Sequence, residues 1–258
     1  MSPDRVACRE CVTVATNAMA TRFEFVLYGD DAPFLRDAGE AAINDVLDAH
    51  NRLTRFERTS IVSAINAHAG HRPVRIDDEL FDLLSIAERI RVESDNAFDI
   101  TLGSSALILD SAKRTVMLPD PAGSIDLGGI GKGHALDLAT ETLRDAGVES
   151  ALLHGGTSTF AAIGRRPGGE SWTVNIAEAL NATLANESLS VSKAVDGSSA
   201  HRGHIVGAAS IQAAAVKHTS AAEADAWSTA IVADSQADIP QHAYQTEHRW
   251  HSSKDWDR

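Results

Sequence analysis

The chain has 258 residues, with 36 Asp and Glu against 23 Lys and Arg, a formal net charge of −13, and 43% hydrophobic residues. That length can bury a large core, and with no internal linker it reads as one globular domain over 18–239, between a polar tail (1–17) and a disordered tail (240–258). The charge argues against nucleic acid and anionic membranes as partners, and the absence of any apolar run of transmembrane length argues against membrane insertion.

Asp4, Arg5, Arg9 and Glu10 stand where a signal peptide would place its apolar centre, and Arg5-Val6-Ala7-Cys8 is a poor lipoprotein cleavage site, so the expected location is the cytoplasm. The only cysteines, Cys8 and Cys11, make half a zinc site at most and read as reduced thiols. Thr21 to Tyr28 alternates and is rich in Phe and Val, which predicts a strand. From Leu35 to Phe56 apolar residues recur at Leu35, Ala38, Ala42, Ile43, Val46, Leu47 and Leu53, which predicts a long helix with His50 at its edge. A second helix is predicted over Asp77 to Arg91, capped by Asp77 or Asp78, with Leu80, Leu83, Leu84, Ala87 and Ile90 inward.

Ser124 to Gly147 organises the rest of the chain. A short apolar strand end runs into a turn with four glycines in six positions, Gly128, Gly129, Gly131 and Gly133. Ala135, Leu138, Ala139, Leu143 and Ala146 then line one face of a helix that Gly147 closes. Such a turn permits positive φ and close approach to the main chain. The helix N-terminus that follows favours a phosphate or another anion, while tight strand-to-helix packing is the other reading. Neither the P-loop spacing nor the G-x-G-x-x-G dinucleotide spacing fits.

Short strands are predicted at Ser150 to Leu153, Trp172 to Ile176, Ser188 to Val191 and Ile211 to Val216. Ser220-Ala-Ala-Glu223 is a capping-box pattern opening a helix through Val232. On it Asp225 and Thr229 share a face, with Ser228 beside them. Carboxylate and hydroxyl oxygens of this kind suit Mg²⁺, and a solvated helix face is the competing reading.

Asp126-Leu-Gly-Gly-Ile-Gly-Lys-Gly-His-Ala135, with Asp137 two residues on, resembles the D-L-G-G-[IV]-[AG]-K-G-x-A-x-D signature of the ApbE family, the FAD:protein FMN transferases. Ala224-Asp-Ala-Trp-Ser-Thr229 resembles that family's A-D-A-x-[AS]-T element. The resemblance spans roughly 18–235 and implies an α+β fold, with helices on mainly antiparallel sheet and a nucleotide cleft between the glycine turn and the Asp225 helix. It also implies Mg²⁺ held by Asp225, Ser228, Thr229 and the carbonyl of Gly131, with FAD as the substrate.

Further residues are assigned on the same resemblance. Ala18-Met19-Ala20-Thr21 is similar to the family's M-G-T, so Met19 borders the flavin nucleotide or simply fills the core. Phe56 matches a position, usually Tyr, that stacks on the flavin. Asn96 to Gly103 resembles G-A-F-D-P-T-V-G, which implies nucleotide contacts from Ala97, Phe98 and Asp99, with turn capping as the alternative for Asp99. Gly128, His134 and Val206 are assigned to the nucleotide as well. His204 matches the histidine that assists the attacking hydroxyl, and Lys132 either adds charge at the phosphates or is solvated.

The chain departs from the family pattern at three places. Ile61 stands for Glu in S-E-x-S-x-L-N, Thr157 for Asp or Asn after Gly155-Gly156, and Gly207-Ala-Ala209 for Asp-Pro-x after His204-Ile-Val206. The implied activity is Mg²⁺-dependent transfer of FMN from FAD to a Thr or Ser hydroxyl of an acceptor flavoprotein, releasing AMP. The alternatives are an Mg²⁺-dependent FAD pyrophosphatase and a flavin-binding protein without turnover.

Overall fold

The structure is a computed structural model that describes residues 10–177, 180–194, 213–234 and 246–250. In chain order the elements are β1 (Glu10–Ala18), β2 (Thr21–Gly29), α1 (Ala32–Leu53), α2 (Ile61–Ala67), β3 (Val74–Arg75), α3 (Asp78–Glu93), β4 (Ile108–Asp110) and β5 (Thr115–Met117). After these come α4 (Gly131–Asp145), β6 (Ser150–Gly155), β7 (Thr159–Ile163), β8 (Trp172–Ala177), β9 (Leu180–Leu184), β10 (Ser188–Lys193), β11 (Ala213–His218), α5 (Ala221–Ala233) and β12 (Thr246–Trp250).

The expected α+β class is what forms. A seven-stranded sheet runs β1-β2-β6-β7-β10-β11-β12, and every neighbouring pair in it is antiparallel. Period-2 alternation divides its side chains between two cores. Phe23, Phe25, Leu27, Leu153, Ala161, Ile163, Ala214 and Val216 face the helices. On the other side Phe160, Ala162, Leu189, Val191, Ala213 and Ala215 meet Trp172, Val174 and Leu184 of the β8–β9 hairpin. No helix among the described residues is long and apolar enough to cross a membrane.

Two strands fall in stretches read from the sequence as tails. Residues 10–17 belong to β1, where Val12 and Val14 are buried and alternate with exposed neighbours. The charges at Arg9 and Glu10 hid that alternation. Within 240–258, β12 pairs with β11 from Lys217↔Thr246 to Ala213↔Trp250, although Thr-Glu-His-Arg-Trp carries no apolar period that announces a strand.

The long first helix ends at Leu53, with Thr54 already extended, so Phe56 falls in the following loop. Asp77 is the cap of α3, accepting from the Leu80 N–H at 3.0 Å. Gly147 closes α4 as expected at φ 93°, but Ala146, assigned to the inward face, is exposed. The solvated-face reading of Asp225 fails outright, because every residue of α5 from Ala224 to Val232 is buried between α4 and the sheet.

The β1–β2 turn fixes the conformation of Met19 and Ala20. Ala18 pairs with Thr21, leaving Met19 at φ 50° and Ala20 at φ 59°, the left-handed pair that a two-residue hairpin turn requires. His50 holds the turn by accepting the Met19 N–H at Nδ1, 3.2 Å away, so it does more than lie at a helix edge. A left-handed φ at position 20 favours Gly, the residue the M-G-T resemblance expects there, where this chain has Ala. Ala20→Gly is therefore expected to stabilise the fold by about 0.5–1 kcal/mol, seen as a melting temperature raised by about 1–4 °C. An unchanged or lower melting temperature would contradict the turn assignment.

Candidate functional site

None of the four turn glycines has positive φ, so conformational freedom is not why they are there. A Cβ on Gly133 would lie 2.1 Å from the Ala221 carbonyl oxygen, so Gly133 lets α4 and α5 touch backbone to backbone. A Cβ on Gly129 would meet Phe98 at 3.2 Å and the Thr229 methyl at 3.3 Å. For these two the tight-packing reading holds. Gly131 differs, because it is buried yet a Cβ there would find nothing within 4 Å.

The first turn of α4 has no side-chain cap of its own. Its anion comes from α5. Asp225, 2% exposed, accepts the Gly133 N–H at 3.3 Å and the Ser190 hydroxyl at 2.9 Å, and pairs with the Lys132 ammonium at 3.2 and 3.3 Å. A carboxylate at a helix N-terminus is where the dipole favours it. One turn on, the Ser228 and Thr229 hydroxyls donate to the Asp225 carbonyl at 3.0 and 2.8 Å. Ser192 lies 2.8 Å from the Ser228 hydroxyl and 3.2 Å from that of Thr229. The site thus unites Lys132, Asp225, Ser228 and Thr229 against the glycine turn, and it adds Ser190 and Ser192, which the sequence reading missed. Their signal was the alternation Ser188, Ser190, Ser192 between Leu189 and Val191 on one strand.

A second contact orients α5. Ser220 accepts the Glu223 N–H at 3.2 Å, but the reciprocal half of the capping box does not form. Ser220 gives its own N–H to His218 at 3.0 Å, and the Glu223 carboxylate pairs with Arg89 at 2.8 Å. Asp137 on α4 instead takes the Ala221 and Ala222 N–H groups at 2.7 and 2.9 Å and the Ser220 hydroxyl at 2.7 Å. Burial pushes the Asp137 carboxyl above the usual aspartate range, while these three donors act in the opposite direction.

The ApbE family model matches residues 19–122 and 103–249. The chain belongs to the ApbE family. A curated FAD:protein FMN transferase of Klebsiella pneumoniae (strain 342) is 28% identical over 131 residues, covering 40% of this chain and 42% of the relative. The chain therefore matches less than half the length of that relative. Among solved structures, the ApbE protein of Thermotoga maritima superposes with a TM-score of 0.81 at 20% identity, over 96% of this chain and 100% of that one. The apo ApbE flavinyl transferase of Pseudomonas stutzeri gives 0.74 at 20% identity, over 86% and 84% of the two chains. The flavin transferase ApbE from Vibrio cholerae gives 0.74 at 15% identity, over 96% and 99%. At these identities the likeness is one of fold.

The other residues assigned on the ApbE resemblance are spread more widely. Phe98 is buried against Gly129, and the partly buried Ala97 packs on the same core. Asp99 takes the capping role, accepting from the Thr101 N–H at 2.8 Å and the Gly103 N–H at 2.9 Å. Met19 is partly buried against the core. Phe56 is 79% exposed, with the Arg55 guanidinium 4.8 Å from its ring centroid. Arg55 also pairs with Asp126 at 2.9 Å, and Asp126 accepts the Gly128 N–H at 2.9 Å, which ties that loop to the glycine turn. Asn66 exchanges two hydrogen bonds with the backbone of Ile125, at 3.1 and 2.7 Å, just before the turn. His134 is buried and sits 3.4 Å from Glu79 on α3, and this contact is the main influence holding the Glu79 carboxyl below its ordinary range. His204 and Val206 lie outside the described residues.

Two cavities open elsewhere, one of about 380 Å³ lined by Asp137, Thr140, Arg144, Glu187 and Ser220, and one of about 250 Å³ lined by Asp45, Arg52, Glu79 and Thr142. Neither includes Asp225 or Thr229. No group of three His, Cys, Asp or Glu side chains suited to a metal occurs among the described residues, so a cation at Asp225 would depend on hydroxyl and carbonyl oxygens.

Gly133→Ala is expected to lose about 3 kcal/mol or more, because neither backbone can yield. Gly131→Ala should fold with stability equal to wild type or up to about 1 kcal/mol above it. Thermal melts of the two variants check this, and equal losses would refute the division of roles. For Asp137, the folded-state pKa lies above the unfolded value, so its contribution is full below the unfolded pKa and declines as pH rises through the folded one. Asp137→Ala should therefore cost about 1–3 kcal/mol at acid pH and less toward neutrality, measured by denaturant titration at several pH values. A gap that widens with rising pH would contradict this.

Proposed function

We propose that this protein transfers FMN from FAD to a Thr or Ser hydroxyl of an acceptor protein in an Mg²⁺-dependent reaction that releases AMP. The observation that carries the reading is the buried set of oxygens, Asp225, Ser228 and Thr229, brought against the glycine turn by close α4–α5 packing. The oxygen set fits the metal. Carboxylate and hydroxyl oxygens are the hard donors Mg²⁺ prefers, the Ser228 and Thr229 hydroxyls already make hydrogen bonds with the Asp225 carbonyl and Ser192, and the open space beside Gly131 leaves room next to the main chain. Asp225, Thr229 and the Gly131 carbonyl would hold the ion, with Ser228 beside them. When bound, Mg²⁺ supplies neutralising charge at the pyrophosphate, which a chain of net charge −13 otherwise repels.

In the transfer, the acceptor hydroxyl oxygen attacks the FMN phosphorus, the bond from that phosphorus to the AMP phosphate oxygen breaks, and a phosphoester to the acceptor forms. His204 is the residue assigned to take the hydroxyl proton, since a neutral imidazole suits general-base work near pH 7. Lys132 is the residue assigned to offer its ammonium to the phosphates. Phe56, with one face under Arg55, offers the other to an aromatic ring system. Ala97, Phe98, Asp99, His134 and Val206 complete the nucleotide assignments made on the family resemblance.

The test incubates purified protein with FAD and Mg²⁺, with and without a domain carrying the family's acceptor threonine motif, and reads AMP by chromatography and the acceptor by mass. AMP together with an acceptor heavier by one FMN is the expected result. AMP with free FMN and an unmodified acceptor would make the protein a pyrophosphatase, and intact bound FAD would make it a binding protein. Asp225→Ala should cut turnover by about a hundredfold or more while the melt remains cooperative. Unchanged turnover at the same Mg²⁺ requirement would refute the metal assignment.

A further inference from the structure

The Asp225 carboxylate, the one acidic side chain in the oxygen set, already has a cation on it. Lys132 extends from the first turn of α4 and places its ammonium within 3.3 Å of both carboxylate oxygens, while Gly133 and Ser190 donate to the same group. The carboxylate is 2% exposed and the lysine side chain 24% exposed, so only the lysine has a path toward solvent. The geometry points to Lys132 as a place-holding cation that excludes a metal from Asp225 until a polyanionic ligand draws the ammonium away. This rests on the reading that the site takes a divalent ion together with a pyrophosphate.

A divalent ion bound to Asp225 would come within a few ångströms of that ammonium in a poorly solvated site, where like charges repel far more strongly than in water. Holding both on one buried carboxylate therefore lowers the affinity for the metal. The lysine stem is flexible, and a ligand carrying phosphates gives the displaced ammonium a new partner. Metal and nucleotide then favour each other reciprocally, since each strengthens the case for moving the same lysine. Without nucleotide, the ion pair satisfies Asp225 and keeps metal affinity low.

Mn²⁺ titration followed by electron paramagnetic resonance, on the full chain without nucleotide, tests this. Lys132→Met removes the charge and keeps the apolar stem, while Gly133 and Ser190 remain on the carboxylate. It should bind Mn²⁺ about tenfold tighter or better than wild type. Lys132→Arg keeps a cation in place and should stay within about threefold of wild type. Mn²⁺ should raise the melting temperature of Lys132→Met more than that of wild type at the same concentration, and a variant that folds only with Mn²⁺ present would support the exchange equally. Affinity no tighter than wild type overturns the proposal, as does a Lys132→Met protein that stays unfolded in Mn²⁺, because the ammonium is then a fixed counter-ion. Neither FAD nor an acceptor enters this experiment. Failure of FMN transfer with tighter Mn²⁺ binding removes only the functional reading, and transfer with unchanged binding removes only the place-holder.

Discussion

A carboxylate in the interior fixes the arrangement of this protein. Asp225 is almost fully buried, and an ion so placed costs several kcal/mol unless its oxygens are satisfied. Satisfaction comes from two elements at once: α4, through Lys132, Gly133 and its helix dipole, and β10, through Ser190. Each charged hydrogen bond contributes about 1.5–3 kcal/mol, so losing any one leaves the ion undercompensated. That requirement sets how close α4 and α5 must come, and the absent side chain of Gly133 makes the approach possible. Asp137 then fixes the start of α5 by taking its first two N–H groups, so the helix is pinned at its N-terminus and at its middle.

The face of the main sheet turned toward the helices is mostly apolar, and its buried hydroxyls gather beneath α5. There β10 presents Ser190 and Ser192 where its neighbours present Ala161, Ile163, Ala214 and Val216. Thr159 on β7 extends the seam, 3.3 Å from Ser190. Small apolar residues would fill this space at lower desolvation cost, so core stability alone does not account for a chain of buried hydroxyls. An oxygen-rich seam ending on a carboxylate and two helix hydroxyls is a local departure from good packing logic, of the kind expected where a site is built.

Much of this was legible in the chain, and the illegible parts have physical causes. Caps at Asp77 and Ser220 were readable because capping is local, whereas the Asp137 cap joins residues more than eighty positions apart in sequence. The glycines of 128–133 were visible as a motif, but spacing cannot tell positive φ from close approach, and here approach is what counts. An aspartate and a threonine four apart look alike on a wet face and inside a core. The discriminating signal lay around them, in Ala224, Ala226, Trp227, Ala230, Ile231 and Val232, a helix apolar on nearly every side. The Ser190 and Ser192 pattern resembled an ordinary half-solvated strand until the β8–β9 hairpin and α5 covered both faces.

Phe56 shows how rigid elements reach the loop beside the site. A single exposed aromatic is unremarkable on any surface. This one is not free to turn at will, because the guanidinium that lies over its ring also pairs with Asp126. Asp126 in turn accepts from Gly128, and Asn66 clamps Ile125 one residue before it. The ring is thereby referenced, through two side chains, to the glycine turn that meets Asp225. Removing Arg55 would release the ring and would also take an ion partner from Asp126, the residue that holds the Gly128 N–H. The exposed ring and the glycine turn are therefore coupled by one short chain of side-chain contacts, although they lie far apart in sequence.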